Sequence, residues 1–150
     1  MREALTLENS FLPAMRPIIA LCLIFTIALY ADAQEGPKHQ ISIYFGGGNY
    51  YISEDQQLEL QEFIHKIPHV EQYSITIHSH TDNIGGVEFN NWLSQMRSNS
   101  AFEELLLNNI REEMIEIKDF GLHNPIYDNS TWEGRRKNRR VDIFLWPLAL

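Results

Sequence analysis

Residues 78 to 86 read His-Ser-His-Thr-Asp-Asn-Ile-Gly-Gly, and Arg97 follows one helix-length later. These side chains can do several kinds of chemistry. His78 and His80 alternate, so on a strand they share one face, a spacing that suits a metal ion. A metal needs a third ligand, however, and His65, His69, His123 or a carboxylate would have to be brought there by the fold. Gly46-Gly47-Gly48 suggests a phosphate cradle, but that cradle requires Lys-Ser or Lys-Thr at the following helix start. Here Asn49-Tyr50-Tyr51-Ile52 follows, so the glycines form either a plain turn or a loop that lets backbone approach something closely. No Gly-x-Ser-x-Gly and no recognisable pair of carboxylates is present, so the sequence shows no nucleophile and base. Asn129-Ser130-Thr131 matches a glycosylation sequon, which matters only in a eukaryotic secretory pathway.

Asp82 and Arg97 make a longer constellation with Thr81, Asn90 and Leu93-Ser94. Brought to one rim, an acid and an arginine can bind a zwitterion, Asp82 taking the ammonium and Arg97 the carboxylate. Each charge-assisted hydrogen bond contributes about 1.5–3 kcal/mol net. The competing reading is that Asp82 and Arg97 simply pair with each other.

The hydrophobic pattern supplies the elements that must place these residues. Ile41, Ile43 and Phe45 alternate as a strand that ends at the glycines. Ser53 and Gln56 are spaced as a capping box. Leu60, Phe63, Ile64 and Ile67 then recur at helical spacing, which predicts a helix over 54–66 stopped by Pro68. Tyr73, Ile75 and Ile77 predict a second strand, with Thr81-Asp82 at its exit. A longer helix is expected over 93–108, its stripe formed by Ser98, Ala101, Phe102 and Leu105, with Asn108-Asn109 as a left-handed stop. Ile115 and Ile117 suggest a third strand. Val141, Ile143 and Leu145 suggest a fourth, after a loop. The result is an α+β fold, a two-layer sandwich with helices on one face of a small mixed sheet.

Ahead of this lies a different kind of segment. Residues 17–30 are almost wholly apolar, Arg16 precedes them, and Ala31-Asp32-Ala33 follows as a small-x-small site. This is the pattern of a secretory signal peptide over 1–33, cleaved before Gln34, and too short for a comfortable bilayer crossing of about 20 residues. The sole cysteine, Cys22, lies inside the apolar run and after Leu21, which disfavours lipidation and leaves the mature chain without thiol chemistry. Residues 34–40 read as a linker, 41–146 as the domain and 147–150 as a tail. The chain carries a net charge of −8, and the signal segment accounts for only one of those charges. An acidic chain disfavours nucleic acid as a partner. The basic run from Arg135 to Arg140 is local.

Taken together, Ile75-x-Ile77-x-x-His80-Thr81-Asp82-x-x-Gly85, Asn90 and Leu93-Ser94-x-x-Arg97 resemble the signature of the OmpA-like C-terminal domain family. Asn124-Pro125-Ile126-x-Asp128-Asn129, Asn138-Arg139-Arg140-Val141-Asp142-Ile143 and Tyr44-Phe45-Gly46 extend the resemblance from about Ile41 to Leu145. It implies a βαβαββ fold and non-covalent, non-enzymatic binding of peptidoglycan, centred on the diaminopimelate of the stem peptide, in the periplasm at the cell wall or outer membrane. Residue by residue, the resemblance puts the family's acid on Asp82, its arginine on Arg97 and its asparagine on Asn90. Thr81, Leu93, Phe45, Gly46 and Gly47 line the same pocket. Asn138, Arg139 and Arg140 become supporting polar residues of the last strand. No metal and no cofactor is implied. The chain departs from the family pattern at Ser79, at Met96 and Ser98 around Arg97, and at the triple glycine. His78 has no assigned counterpart. Two other readings stay open: an adaptor of this fold that binds a periplasmic or outer-membrane protein, or a second copy of itself, and a metal-dependent hydrolase using His78 and His80.

Overall fold

The computed structural model describes residues 36–148, so the expected signal peptide and Cys22 lie outside the described residues. The elements, in chain order, are β1 (His39–Tyr44), α1 (Glu54–His65), β2 (Tyr73–His80), α2 (Val87–Leu107), β3 (Ile115–Gly121), α3 (Trp132–Asn138) and β4 (Arg140–Pro147). The four strands form one sheet in the order β1-β4-β2-β3. β4 runs antiparallel to both β1 and β2, while β3 lies parallel to β2. The α+β expectation holds, with helices against one face of a mixed sheet.

Strand alternation decides which side chains meet those helices. Ile43, Ile75, Ile77, Val141, Ile143 and Leu145 point to one face and are essentially excluded from solvent. Leu60 and Ile64 of α1 and Ala101 and Leu105 of α2 close over them, joined by Phe45, Ile52, Ile67 and Ile110 from the connections. The opposite face carries Thr76, His78 and His80 of β2 beside Asp142, Phe144 and Trp146 of β4.

Several boundaries differ from expectation, and the start of α2 does so for a physical reason. β1 begins at His39, inside the segment read as linker, and β4 runs through Pro147, the first residue of the expected tail. α2 starts at Val87, six residues before the expected Leu93. Its buried stripe is Asn90, Leu93, Ser94, Arg97, Ser98, Ala101 and Leu105, which has helical spacing but is polar, Leu93 apart, over the first half of the helix. A search for apolar periodicity therefore sees only its second half. The stretch read as a loop before β4 contains α3, which is capped by Thr131: its hydroxyl accepts from the Gly134 amide at 2.9 Å.

The Ser53–Gln56 capping box does not form, since the Ser53 side chain caps no backbone amide. Gln56 instead accepts from the Tyr44 amide at 2.7 Å and donates to the Tyr44 carbonyl at 3.0 Å, tying α1 to the end of β1. Asn109 does adopt the left-handed conformation, at φ 63°, as the helix stop requires.

Candidate functional site

The site forms where β2 ends. Between Ser79 and His80 the pairing with β3 slips, so that Ser79 faces Asp119 and His80 faces Gly121, with Phe120 as the extra residue. Such a bulge re-aims the strand. Gly121 turns left-handed, at φ 55°, and its carbonyl accepts the Thr81 amide at 2.8 Å. A side chain at Gly121 would place its Cβ 2.5 Å from Asn91 Oδ1 of α2, so glycine is what lets the helix start approach. Thr81 and Asp82 are thereby held just past the end of β2, both buried.

Asp82 is fixed on both sides. Its Oδ1 accepts from the Ile84 amide at 3.2 Å, and its Oδ2 accepts from Arg139 Nη1 at 2.9 Å. The turn continues through Gly85 at φ 96° into α2. Asn90, fully buried, closes that turn from below: its Nδ2 donates to the carbonyls of Ile84 and Gly86. Its Oδ1 finds no partner among the described residues. Leu93 is buried one turn further along α2.

Arg97 is the largest fully buried side chain described. Its Nε donates to the Asn49 carbonyl at 2.9 Å, Nη1 to the His80 carbonyl at 3.0 Å and Nη2 to the Gly46 carbonyl at 3.1 Å. The guanidinium also lies 4.9 Å from the centre of the Phe45 ring. Burial holds its pKa down, to about 10, with Asp82 opposing and Arg139 assisting that shift, so it stays charged at neutral pH. The ion pair between Asp82 and Arg97, left open by the sequence, does not form. Asp82 pairs with Arg139 instead.

Arg97 gathers three segments into one place: the glycine loop after β1, the end of β2 and its own helix. Phe45 is buried, whereas Gly46 and Gly47 are exposed at the rim. Arg139 completes the arrangement, donating from Nε to the Phe45 carbonyl at 3.1 Å while holding Asp82. The sequence placed Arg139 only as a supporting residue of the last strand, yet it is the direct partner of the buried acid. The sequence signal was charge balance alone, since a carboxylate at a strand exit needs a cation; it did not say which arginine supplies it.

The other two expected supporting residues have separate tasks. Asn138, fully buried, accepts from the amides of Ile126 and Tyr127 and donates to the Tyr127 carbonyl and Asn129 Oδ1. This fastens the loop of residues 122–131 to α3. Arg140 donates from Nε to Asp142 Oδ2 at 2.9 Å on the sheet face away from the helices.

His78 and His80 do share that face, as their spacing requires. His80 stacks on Phe120 at 5.0 Å, and His78 sits edge-on to Phe120 and Phe144. Among the described residues no three His, Cys, Asp or Glu side chains are gathered as a metal ion would need.

The sequence pattern characteristic of the OmpA family matches residues 44–139, most of the described chain. The chain belongs to the OmpA family. Members of this family are structural and binding proteins rather than enzymes. The probable lipoprotein YiaD of Escherichia coli is 39% identical over 75 residues, which cover 50% of this chain and 34% of that protein. Peptidoglycan-binding protein ArfA of Mycobacterium bovis is 39% identical over 69 residues, 46% of this chain and 21% of that one. The chain thus spans about a third or less of the length of these two relatives. Among solved structures, the peptidoglycan-associated lipoprotein of Burkholderia pseudomallei superposes with a TM-score of 0.65 at 26% identity, covering 70% of this chain and 89% of that one.

Proposed function

We propose that the chain binds peptidoglycan non-covalently, by the diaminopimelate end of a stem peptide, and so associates with the cell wall on the periplasmic side of an outer membrane. The observation that carries this reading is the Asp82–Arg139–Arg97 arrangement at one rim. A carboxylate and two guanidinium groups, all largely withdrawn from water, can meet both charges of an amino-acid terminus. Each Asp82 oxygen makes one bond within the chain and keeps a second lone pair for an ammonium. Arg97 uses three of its five N–H groups and Arg139 leaves Nη2 unbonded, so donors remain for a carboxylate. Thr81, Asn90 and Leu93 shape the turn, and Phe45, Gly46 and Gly47 form the opposite wall. The relatives named above support the envelope setting, being a lipoprotein, a peptidoglycan-associated lipoprotein and a protein named for binding peptidoglycan.

A site making a few charge-assisted bonds binds a single stem peptide weakly, at about micromolar Kd or above, since about −8 kcal/mol corresponds to 1 µM. Sedimentation with insoluble purified peptidoglycan tests the reading. The parent is expected in the pellet, with Asp82→Asn and Arg139→Gln each weakening binding by about 2 kcal/mol or more. A folded parent that stays in the supernatant would overturn it and make a protein partner the leading alternative.

A further inference from the structure

Beside this pocket lies a surface that neither the core nor the pocket uses. Tyr51, Ile84, Val87, Phe89 and Trp92 are all exposed, Tyr51 by 68% and Trp92 by 46%. They are not scattered. The Tyr50 ring lies 4.5 Å from Tyr51 and meets Trp92 edge-on at 5.8 Å, and Phe89 continues the row at 5.9 Å from Trp92. The hydroxyls of Tyr50 and Tyr51 hydrogen-bond at 3.1 Å, giving the row one polar end. Contiguous exposed apolar surface on a small domain marks an interaction site.

The row is built from the same segments as the pocket. Tyr50 follows Asn49, whose carbonyl receives Arg97, and Phe89 precedes Asn90, which closes the Asp82 turn. Ile84 gives its amide to Asp82 itself. Trp92 and Arg97 are five residues apart on α2, about 7.5 Å along its axis.

We propose that Tyr50, Tyr51, Phe89 and Trp92 form a stacking platform for the glycan strand of the same polymer, a reading that rests on peptidoglycan being the ligand. Stem peptides are attached to the glycan through their first residue, and diaminopimelate is the third. Three residues reach about 10 Å at most, so a sugar of the bound strand falls within range of the rings. Pyranose faces present C–H groups that pack on aromatic rings, while their rim hydroxyls suit tyrosine hydroxyls, the apolar body and polar tip that such residues offer at wet interfaces. None of the platform side chains is charged at neutral pH, which fits a neutral sugar better than an ionic partner.

Calorimetry on the whole protein with two soluble probes separates the platform from the pocket: a free stem peptide containing diaminopimelate, and the same stem carried on its disaccharide. The parent is expected to bind the disaccharide-linked stem about tenfold tighter or more, roughly 1.4 kcal/mol. Trp92→Ala and Tyr50→Ala should abolish that advantage and leave the free stem unaffected, while Trp92→Phe keeps most of it. Asp82→Asn should weaken both probes. The platform is overturned if the parent binds the free stem but gains nothing from the sugar, or if Trp92→Ala weakens both probes alike. A dimer that becomes monomeric on Trp92→Ala, with the sugar advantage intact, would assign the row to a second copy instead. Binding of neither probe by the folded parent would sink the pocket reading and the platform with it.

Discussion

Arg97 bears on the site first as a keystone of the fold around it. Its three carbonyl partners come from residues 46, 49 and 80, so removing the guanidinium unpairs three segments at once and leaves a buried void. Breaking a buried charged network costs about 3–5 kcal/mol. Arg97→Ala is therefore expected to lower the unfolding free energy by that amount, measured from urea midpoints. Arg97→Lys should recover only part of it, because one ammonium cannot reproduce a fork of three directed donors. The Asp82–Arg139 pair is less buried, with 14% of the Arg139 side chain exposed, and Asp82→Asn should cost about 1–2 kcal/mol. An Arg97→Ala protein as stable as Asp82→Asn would show that the three carbonyls are satisfied without it. The sequence named both residues from charge and spacing. It did not show which cation meets the acid, because that depends on the glycine loop after β1, whose path leaves no periodic trace.

At the scale of elements, the turn between β2 and α2 depends on backbone that only glycine adopts cheaply. Gly85 sits at φ 96°, and a Cβ there would meet the Phe89 ring at 2.9 Å. Gly85→Ala is expected to cost about 1–3 kcal/mol and to displace Phe89, measurable as a lower thermal midpoint. Thr131→Ala should cost about 1 kcal/mol through loss of the α3 cap. An unchanged midpoint in either variant would remove that element's assigned support. These same places mark where the sequence was legible. Strands β2 and β4 and helix α1 were visible because the positions they turn to the core are mostly apolar. The first half of α2 buries Asn90, Ser94, Arg97 and Ser98 around the single apolar Leu93, and α3 is seven residues of mostly basic and small side chains. Polar burial serves the site, and it is also what hides an element from a hydrophobic pattern.

Over the described residues, one sheet face is packed by helices and the other is covered by its own side chains and the loop after β3, and this asymmetry has a pH signature. His80 lies on the second face with Arg140 and Asp142 of β4, His78 of β2 and the backbone of His123 around it. Burial, reinforced by the Arg140 charge, pushes its pKa down to about 4 against the opposing pull of Asp142. His78 is shifted downward as well, by burial and then by Lys118. In the unfolded chain each histidine takes up a proton below about pH 6.5, while folded His80 stays neutral until about pH 4. The unfolded state then binds more protons, so stability is fully present above about pH 6.5 and is lost as the pH falls through the window down to 4. A shift of this size corresponds to about 3 kcal/mol at most from His80. Urea midpoints at pH 7, 5.5 and 4.5 should fall in that order, and His80→Gln should flatten the decline. A parent whose midpoint does not move across this range would mean that His80 protonates freely in the folded state, and so that the second face is open to water rather than sealed by Phe120 and Arg140.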